Sequence, residues 1–93
     1  MNFLKILDEL IASRKKNYSS ESYTSQLLEQ GVDRIARKLG EETAELIVAA
    51  KNDNKEELCN EAGDLLYHLM VLCHNQGVSF EDVVTVMEKR HTS

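Results

Sequence analysis

The stretch that decides the fold runs from Glu61 to Cys73 and reads EAGDLLYHLMVLC. Two acids spaced three residues apart lead directly into a run that is apolar on almost every side of a helix. A helix of this kind must be buried on nearly every face. We therefore expect the run to draw Glu61 and Asp64 into the mouth of a helical core.

The same acid spacing occurs upstream, in the segment 32–51, where Glu42 and Glu45 are also three residues apart. Residues at this spacing lie about 60° apart around a helix and about one turn along it, so their carboxylates can converge. Glu42 also falls inside an apolar stripe, which places a carboxylate at a core-facing position. The stripe consists of Val32, Ile35, Leu39, Leu46 and Ala49.

The break at Asn52–Asn54 allows the helices 32–51 and 55–75 to pack antiparallel, which sets the two acid pairs opposite each other. Four carboxylates in a partly buried site repel one another and raise their pKa values unless a cation compensates them. All-oxygen ligation favours Mg²⁺, with Mn²⁺ as a substitute, over Zn²⁺. The alternative is that the acids are solvated surface charges; the repeated spacing in an apolar setting favours the metal site.

The remaining sequence also indicates helices, because the 93 residues include no Pro and only four Gly. We expect a first helix over 3–16, a hydroxyl-rich loop over 19–25 and a short turn over 26–30. A last helix is expected to start after Ser79, which forms a capping pattern with Asp82, and to run to about Lys89. The prediction is one all-α domain over residues 1–93. Its four to five helices would form a helical bundle completed by dimerisation, since a chain this small gains core by association.

Charge and composition exclude several classes of partner. A formal net charge of −5 and a pI of about 5.1 argue against a nucleic-acid binder and against a protein drawn to an anionic membrane. No continuous apolar segment predicts a signal peptide or a membrane span. Cys59 and Cys73 lack a CxxC spacing and are expected to be buried, reduced thiols, which favours a cytoplasmic protein.

The acidic motifs also carry a family resemblance. Glu41-Glu42-x-x-Glu45 followed by Glu61-x-x-Asp64 resembles the signature of the all-α MazG-like nucleotide pyrophosphohydrolases. Within that superfamily, the segments 31–42, 61–69 and the polar stretch 22–24 are similar to the phosphoribosyl-ATP pyrophosphohydrolases of histidine biosynthesis. One departure is Gly63, where the family usually has Ala, and a glycine there permits close helix approach.

The resemblance implies hydrolysis of 1-(5-phosphoribosyl)-ATP to 1-(5-phosphoribosyl)-AMP and pyrophosphate, the second step of histidine biosynthesis. It implies that the substrate is a small nucleotide and that the Mg²⁺ ligands are Glu42, Glu45, Glu61 and Asp64. We also expect the form of the enzyme that lacks the cyclohydrolase domain found on the same chain in some relatives.

Residues beside the acid pairs receive secondary roles. Glu41 is the candidate catalytic residue; it could accept a proton from the attacking water, bind a second metal ion, or act outside the ligand shell. Lys38 can reach a carboxylate or a substrate phosphate, and the family motif favours phosphate, with Arg34 and Arg37 as further phosphate candidates. His68 follows Asp64 by four residues and either orients that ligand from a second shell or is a satisfied core histidine.

Two other functions stay open at this point. The first is a housecleaning nucleoside triphosphate pyrophosphohydrolase of the same superfamily, which a substrate panel would distinguish. The second is a non-catalytic helical dimerisation module in which residues 65–73 form the subunit interface, and magnesium binding would argue against it.

Overall fold

The computed structural model describes residues 2–92, which form five α-helices and no strand. Met1 and Ser93 lie outside the described residues. The helices are α1 (Asn2–Lys16), α2 (Tyr23–Gln30), α3 (Val32–Lys51), α4 (Lys55–Asn75) and α5 (Phe80–His91). The prediction of an all-α fold is confirmed, whereas its completion by dimerisation and the single-domain assignment over 1–93 stay predictions.

The hairpin of α3 and α4 is the framework of the molecule, and these two helices pack against each other more extensively than any other pair. Their bounds agree with the sequence prediction. Asp53 adopts a left-handed backbone conformation with φ of 54° in the connecting turn. The Asn54 side chain accepts a hydrogen bond of 3.0 Å from the Glu57 amide, which caps α4. A three-residue turn with its own cap thus aligns the two acid-bearing helices.

The hydroxyl-rich segment differs from its prediction. Residues 23–25 were expected in a loop and 26–30 in a short turn, but the structure continues α2 through both. Ser22 is the N-cap, since its hydroxyl accepts a 3.1 Å hydrogen bond from the Ser25 amide. Ser25 and Leu27 are each 1% exposed. Capping by a serine and burial of one helix face outweigh the local preference of the hydroxyl groups for a loop.

The core lies where α1, α2, α3 and α4 meet. Ile11, Leu27, Ile35, Met70 and Val71 are at most 1% exposed and form one cluster. Burial of each such side chain contributes roughly 1.5–3 kcal/mol of transfer free energy. The predicted apolar stripe of α3 therefore faces inward at Ile35, with one exception at its start, where Val32 is 43% exposed.

The outer face of the hairpin is only partly covered within one chain. Leu65 and Leu69 of α4 are half-buried and Asp64 is exposed. Ile47 and Val48 of α3 are 51% and 57% exposed. Every residue of the run 65–73 is buried or half-buried, as expected, but Asp64, which the run was expected to draw into the mouth of the core, is exposed.

The two cysteines are free thiols, as predicted. Cys59 is exposed rather than buried, because it lies on the uncovered first half of α4.

The sequence also predicted no membrane span. Among residues 2–92, none of the helices has the length and apolar character needed to cross a membrane.

Helix α5 is attached to the rest of the fold by Asp8 of α1. The Asp8 carboxylate accepts hydrogen bonds from the amides of Phe80 (2.9 Å) and Glu81 (3.3 Å) and contacts His74 Nε2 at 2.6 Å. Ser79 and Asp82 form the predicted capping box at the same helix start. Burial opposes ionisation of Asp8, but the Phe80 amide, His74 and the Glu81 amide together hold the pKa of this carboxyl below its usual value.

Replacing Asp8 by Ala is expected to lower the free energy of unfolding by roughly 2–3 kcal/mol, because hydrogen bonds to a charged group are lost and α5 is released. Since the pKa of Asp8 is lower in the folded state, its contribution is present above the unfolded pKa of about 3.8 and is lost as the pH falls through the folded value. Urea unfolding at pH 7 and pH 3 checks both points. Glu9→Ala, on the exposed side of α1, is the control, and a stability difference of equal size at both pH values would contradict the assignment.

Candidate metal and active site

Three of the four predicted ligands converge in the structure. One carboxylate oxygen from each of Glu42, Glu45 and Glu61 lies within 4.8 Å of the others. Glu42 is buried on the inner side of α3, Glu61 is half-buried on α4, and Glu45 is exposed. The hairpin thus brings the acids of both helices to one point, in an arrangement that can hold a cation.

Asp64 lies at the edge of this cluster. Its side chain is exposed and is not among the three mutually close carboxylates. Its negative charge nevertheless raises the pKa of both Glu42 and Glu61, so it is within electrostatic reach of the site. Its role as a fourth ligand stays a prediction.

The electrostatics of the cluster are unfavourable without a cation. Burial raises the pKa of Glu42, and the hydrogen bond and charge of Glu45 raise it further, while His68 acts weakly in the opposite direction. Burial and Glu45 raise the pKa of Glu61 in the same order. Oε2 of Glu42 and Oε2 of Glu61 are buried without any hydrogen-bond partner among the described residues. Buried carboxylate oxygens without a hydrogen-bond partner, in side chains that converge, fit a hard divalent cation.

The predicted cationic residues do not neutralise these acids. Lys38 Nζ lies 3.6 Å from Glu41 Oε1, one turn along the same helix. Within residues 2–92, the other ion pair is that of His74 with Asp8, remote from the cluster. Among the described residues, the four predicted ligands therefore have no Lys or Arg partner within 4 Å.

Arg34 and Arg37 are both exposed on the first half of α3. On an ideal helix Arg34 lies only about 20° around the axis from Glu45, whereas Arg37 lies about 80° away. Arg34 is thus better oriented toward the acid cluster than Arg37, and the phosphate-binding role of both residues stays a prediction.

His68 links α4 to α2 beside the carboxylates. Its Nδ1 is 2.8 Å from the backbone oxygen of Asp64, and its Nε2 is 3.3 Å from the Tyr23 hydroxyl. The side chain is 6% exposed. His68 is therefore a satisfied buried histidine that contacts the backbone, not the carboxylate, of Asp64.

The sequence predictions missed the aromatic group that surrounds His68. Tyr23 and Tyr67 are stacked, with ring centroids 6.3 Å apart and an interplanar angle of 25°. Both rings meet His68 edge-on, and the Tyr67 hydroxyl bonds the Thr24 hydroxyl. A sequence signal existed, because Tyr67 adjoins His68 and Tyr23 lies in the polar stretch that resembles the family, but nothing local indicates that the two tyrosines meet.

A second omission is Glu57. A cleft of about 340 Å³ adjoins the cluster and is lined by Ala44, Glu45, Val48, Ala49, Glu57 and Glu61. Glu57 precedes Glu61 by four residues and therefore lies on the same face of α4. The spacing was visible in the sequence, but Glu57 lies outside the two i,i+3 pairs.

Comparison with known proteins then decides the family. Residues 4–91 match the family described as phosphoribosyl-ATP pyrophosphohydrolase. The chain belongs to this family. The acid cluster is therefore the candidate active site of a pyrophosphohydrolase, and the resemblance noted from the two acidic motifs is confirmed.

Individual relatives of the family cover the same residues. A phosphoribosyl-ATP pyrophosphatase of Leptospira biflexa is 46% identical over 99% of this chain and 100% of its own length. One of Limosilactobacillus fermentum is 48% identical over 97% of this chain and 85% of its own. A histidine biosynthesis bifunctional protein of Buchnera aphidicola is 50% identical over 97% of this chain, which spans only 42% of that relative.

Gly63, which stands where the family usually has Ala, was expected to permit close approach of another helix. Gly63 is exposed, and a Cβ placed there would meet nothing within 4 Å. Close helix approach inside the chain therefore does not require this glycine.

Proposed function

We propose that the chain hydrolyses 1-(5-phosphoribosyl)-ATP to 1-(5-phosphoribosyl)-AMP and pyrophosphate, as the second step of histidine biosynthesis. The observation that carries the proposal is the convergence of Glu42, Glu45 and Glu61 within 4.8 Å on a chain of this family. A phosphoanhydride substrate needs its charge neutralised, and at a cluster of carboxylates a bound cation can supply that neutralisation.

The proposed cation is Mg²⁺, with Mn²⁺ as a substitute, held by Glu42, Glu45, Glu61 and Asp64. The supporting observations are the all-oxygen donor set and the two buried, unpartnered oxygens. When bound, such an ion polarises phosphate oxygens and favours ionisation of a coordinated water. The carboxylates that hold the ion would thereby fix the triphosphate relative to the α3–α4 hairpin.

Glu41 is the proposed general base. It is exposed one residue before the buried Glu42, where it can accept a proton from an attacking water. Lys38, which contacts Glu41 at 3.6 Å, is proposed to contact a phosphate together with Arg34 and Arg37. When Lys38 leaves Glu41 to contact a substrate phosphate, the Glu41 carboxylate becomes free to accept the proton.

A substrate panel tests the proposed reaction. We expect kcat/KM for phosphoribosyl-ATP to exceed that for ATP or dUTP by roughly 10- to 100-fold, since one charge-assisted hydrogen bond to the extra phosphate contributes roughly 1.5–3 kcal/mol. Release of pyrophosphate and of the monophosphate is measured for each compound at saturating Mg²⁺. Equal rates across the panel would instead identify a housecleaning pyrophosphohydrolase, and failure to bind Mg²⁺ would favour the dimerisation module.

Homodimerisation and a cytoplasmic location complete the proposal. The dimer is supported by the exposed apolar residues on the outer face of the hairpin. The location is supported by the two free thiols.

A further inference from the structure

The aromatic ring of Tyr23 is held in place without being buried. Tyr23 is the first residue of α2, directly after the N-cap Ser22. Its hydroxyl lies 3.3 Å from His68 Nε2, and its ring stacks on Tyr67 with centroids 6.3 Å apart. The side chain is nevertheless 47% exposed. A ring that is fixed by its neighbours but remains half open to solvent is a preorganised contact surface.

The neighbours of Tyr23 place it beside the carboxylate cluster. His68 is fixed on its other side to the backbone oxygen of Asp64 at 2.8 Å. His68 also lies within electrostatic reach of Glu42, the buried member of the cluster. A single histidine therefore separates the Tyr23 hydroxyl from the turn of α4 that carries Asp64.

The partner ring is itself immobilised. The Tyr67 hydroxyl bonds the Thr24 hydroxyl, so the two tyrosines are joined both by their rings and through adjacent residues of α2. Burial raises the pKa of the Tyr67 phenol. The pair thus offers an aromatic surface next to an acidic one.

We propose that Tyr23 is a specificity-determining residue whose ring stacks on the purine of the substrate while the triphosphate is held at the carboxylate cluster. The proposal rests on the proposed function, since it requires a nucleotide at this site. The purine is the planar part of such a substrate, and an aromatic side chain is a surface that binds a base by stacking. The alternative role of Tyr23 is structural, as a cover for the buried His68.

Kinetics separate the two roles. Tyr23→Leu removes the aromatic face but preserves apolar bulk, and we expect it to raise the KM for phosphoribosyl-ATP roughly 10- to 100-fold with little change in kcat, because a stacked base is bound equally in the ground and transition states. Tyr23→Phe retains the ring and should keep the wild-type KM. If Tyr23→Leu retains the wild-type KM, or Tyr23→Phe loses as much as Tyr23→Leu, the stacking role is wrong.

A fluorescence titration gives a readout other than turnover. The sequence contains no Trp, so Tyr23→Trp creates a single reporter at the site. Titration with phosphoribosyl-AMP or AMP in the presence of Mg²⁺ should quench this fluorescence, whereas pyrophosphate alone should not. Tyr18→Trp is the matched control, because Tyr18 is 55% exposed in the loop before α2 and is not among the described residues that bond or stack on His68. Absence of quenching by phosphoribosyl-AMP at concentrations that inhibit turnover would overturn the proposal.

These experiments can show separately whether the stacking role of Tyr23 or the proposed hydrolysis of phosphoribosyl-ATP is wrong. If wild-type protein does not hydrolyse phosphoribosyl-ATP but AMP quenches the indole fluorescence of the Tyr23→Trp variant, the reaction is wrong and the base-stacking role stands. If Tyr23→Leu hydrolyses phosphoribosyl-ATP with the wild-type KM, the reaction stands and the stacking role is wrong.

Discussion

Replacing Glu45 by Gln or Asp64 by Asn is expected to reduce pyrophosphate release by about a thousandfold, which corresponds to roughly 4 kcal/mol of transition-state stabilisation. Each substitution preserves side-chain volume but exchanges an anionic oxygen donor for a neutral amide. The effect of Glu45→Gln should be the stronger, since Glu45 is one of the three carboxylates within 4.8 Å of one another. The rate of phosphoribosyl-ATP turnover at saturating Mg²⁺ is measured for both variants.

Removal of the metal should reproduce the loss. EDTA is expected to abolish turnover in the wild-type protein, and added Mg²⁺ or Mn²⁺ should restore it, because the all-oxygen donor set accepts either ion. The Gln and Asn variants should need a higher Mg²⁺ concentration for whatever activity remains.

The same substitutions should leave the fold intact. Glu45 raises the pKa of both Glu42 and Glu61, so its charge disfavours their ionised forms in the absence of a metal. Removing that charge relieves repulsion, and the thermal midpoint of Glu45→Gln without Mg²⁺ should equal or exceed that of the wild type. Glu21→Gln, on an exposed loop, is the control for both measurements. Full magnesium-dependent turnover in the Glu45 and Asp64 variants would show that these acids are ordinary surface charges.

The second large effect is expected at the outer face of the α3–α4 hairpin. An apolar stripe follows α4 at helical spacing through Leu58, Leu65 and Leu69, and Ile47 of α3 is 51% exposed. A surface of this kind in so small a chain favours association with a second copy. At micromolar concentration, light scattering should therefore give a mass of twice 10.6 kDa.

Ile47→Glu should convert the dimer to a monomer. Since Ile47 is exposed in the single chain, a charge there costs the monomer little, but burial of an unpaired carboxylate at an interface is costly. Met87→Glu is the matched control, because Met87 is 52% exposed on α5. A wild-type protein that is already monomeric, or an Ile47→Glu variant that stays dimeric, would contradict the proposed interface.

The sequence predicted the helices well where local signals agreed. The bounds of α3 and α4 follow from apolar periodicity and from the Asn-rich break between them, and the start of α5 follows from the Ser79 and Asp82 capping box. The prediction was wrong over 23–30, where hydroxyl-bearing residues indicate a loop when read alone. There the burial of Ser25 and Leu27, which depends on the rest of the fold, makes α2 a helix.

The candidate site was also predictable only where local helix geometry determines it. The two acid pairs could be identified because residues three apart on a helix have fixed relative positions. His68 was identified beside Asp64, but Glu57, Tyr23 and Tyr67 were missed as neighbours of the site. The contact of Tyr23 with His68 joins residues 45 apart in sequence, and no periodic pattern encodes such a contact.

The sequence by itself determined the all-α fold, the helix hairpin and the presence of acid pairs on both of its helices, because each of these depends on geometry within one or two turns of a helix. Only the tertiary structure decided that Glu61 joins Glu42 and Glu45 while Asp64 stays at the edge, and that Asp8 caps a helix 72 residues away. The physical reason is that the rotation and translation of one helix against another are set by the packing of many side chains from distant segments, so small shifts in that packing decide which side chains meet.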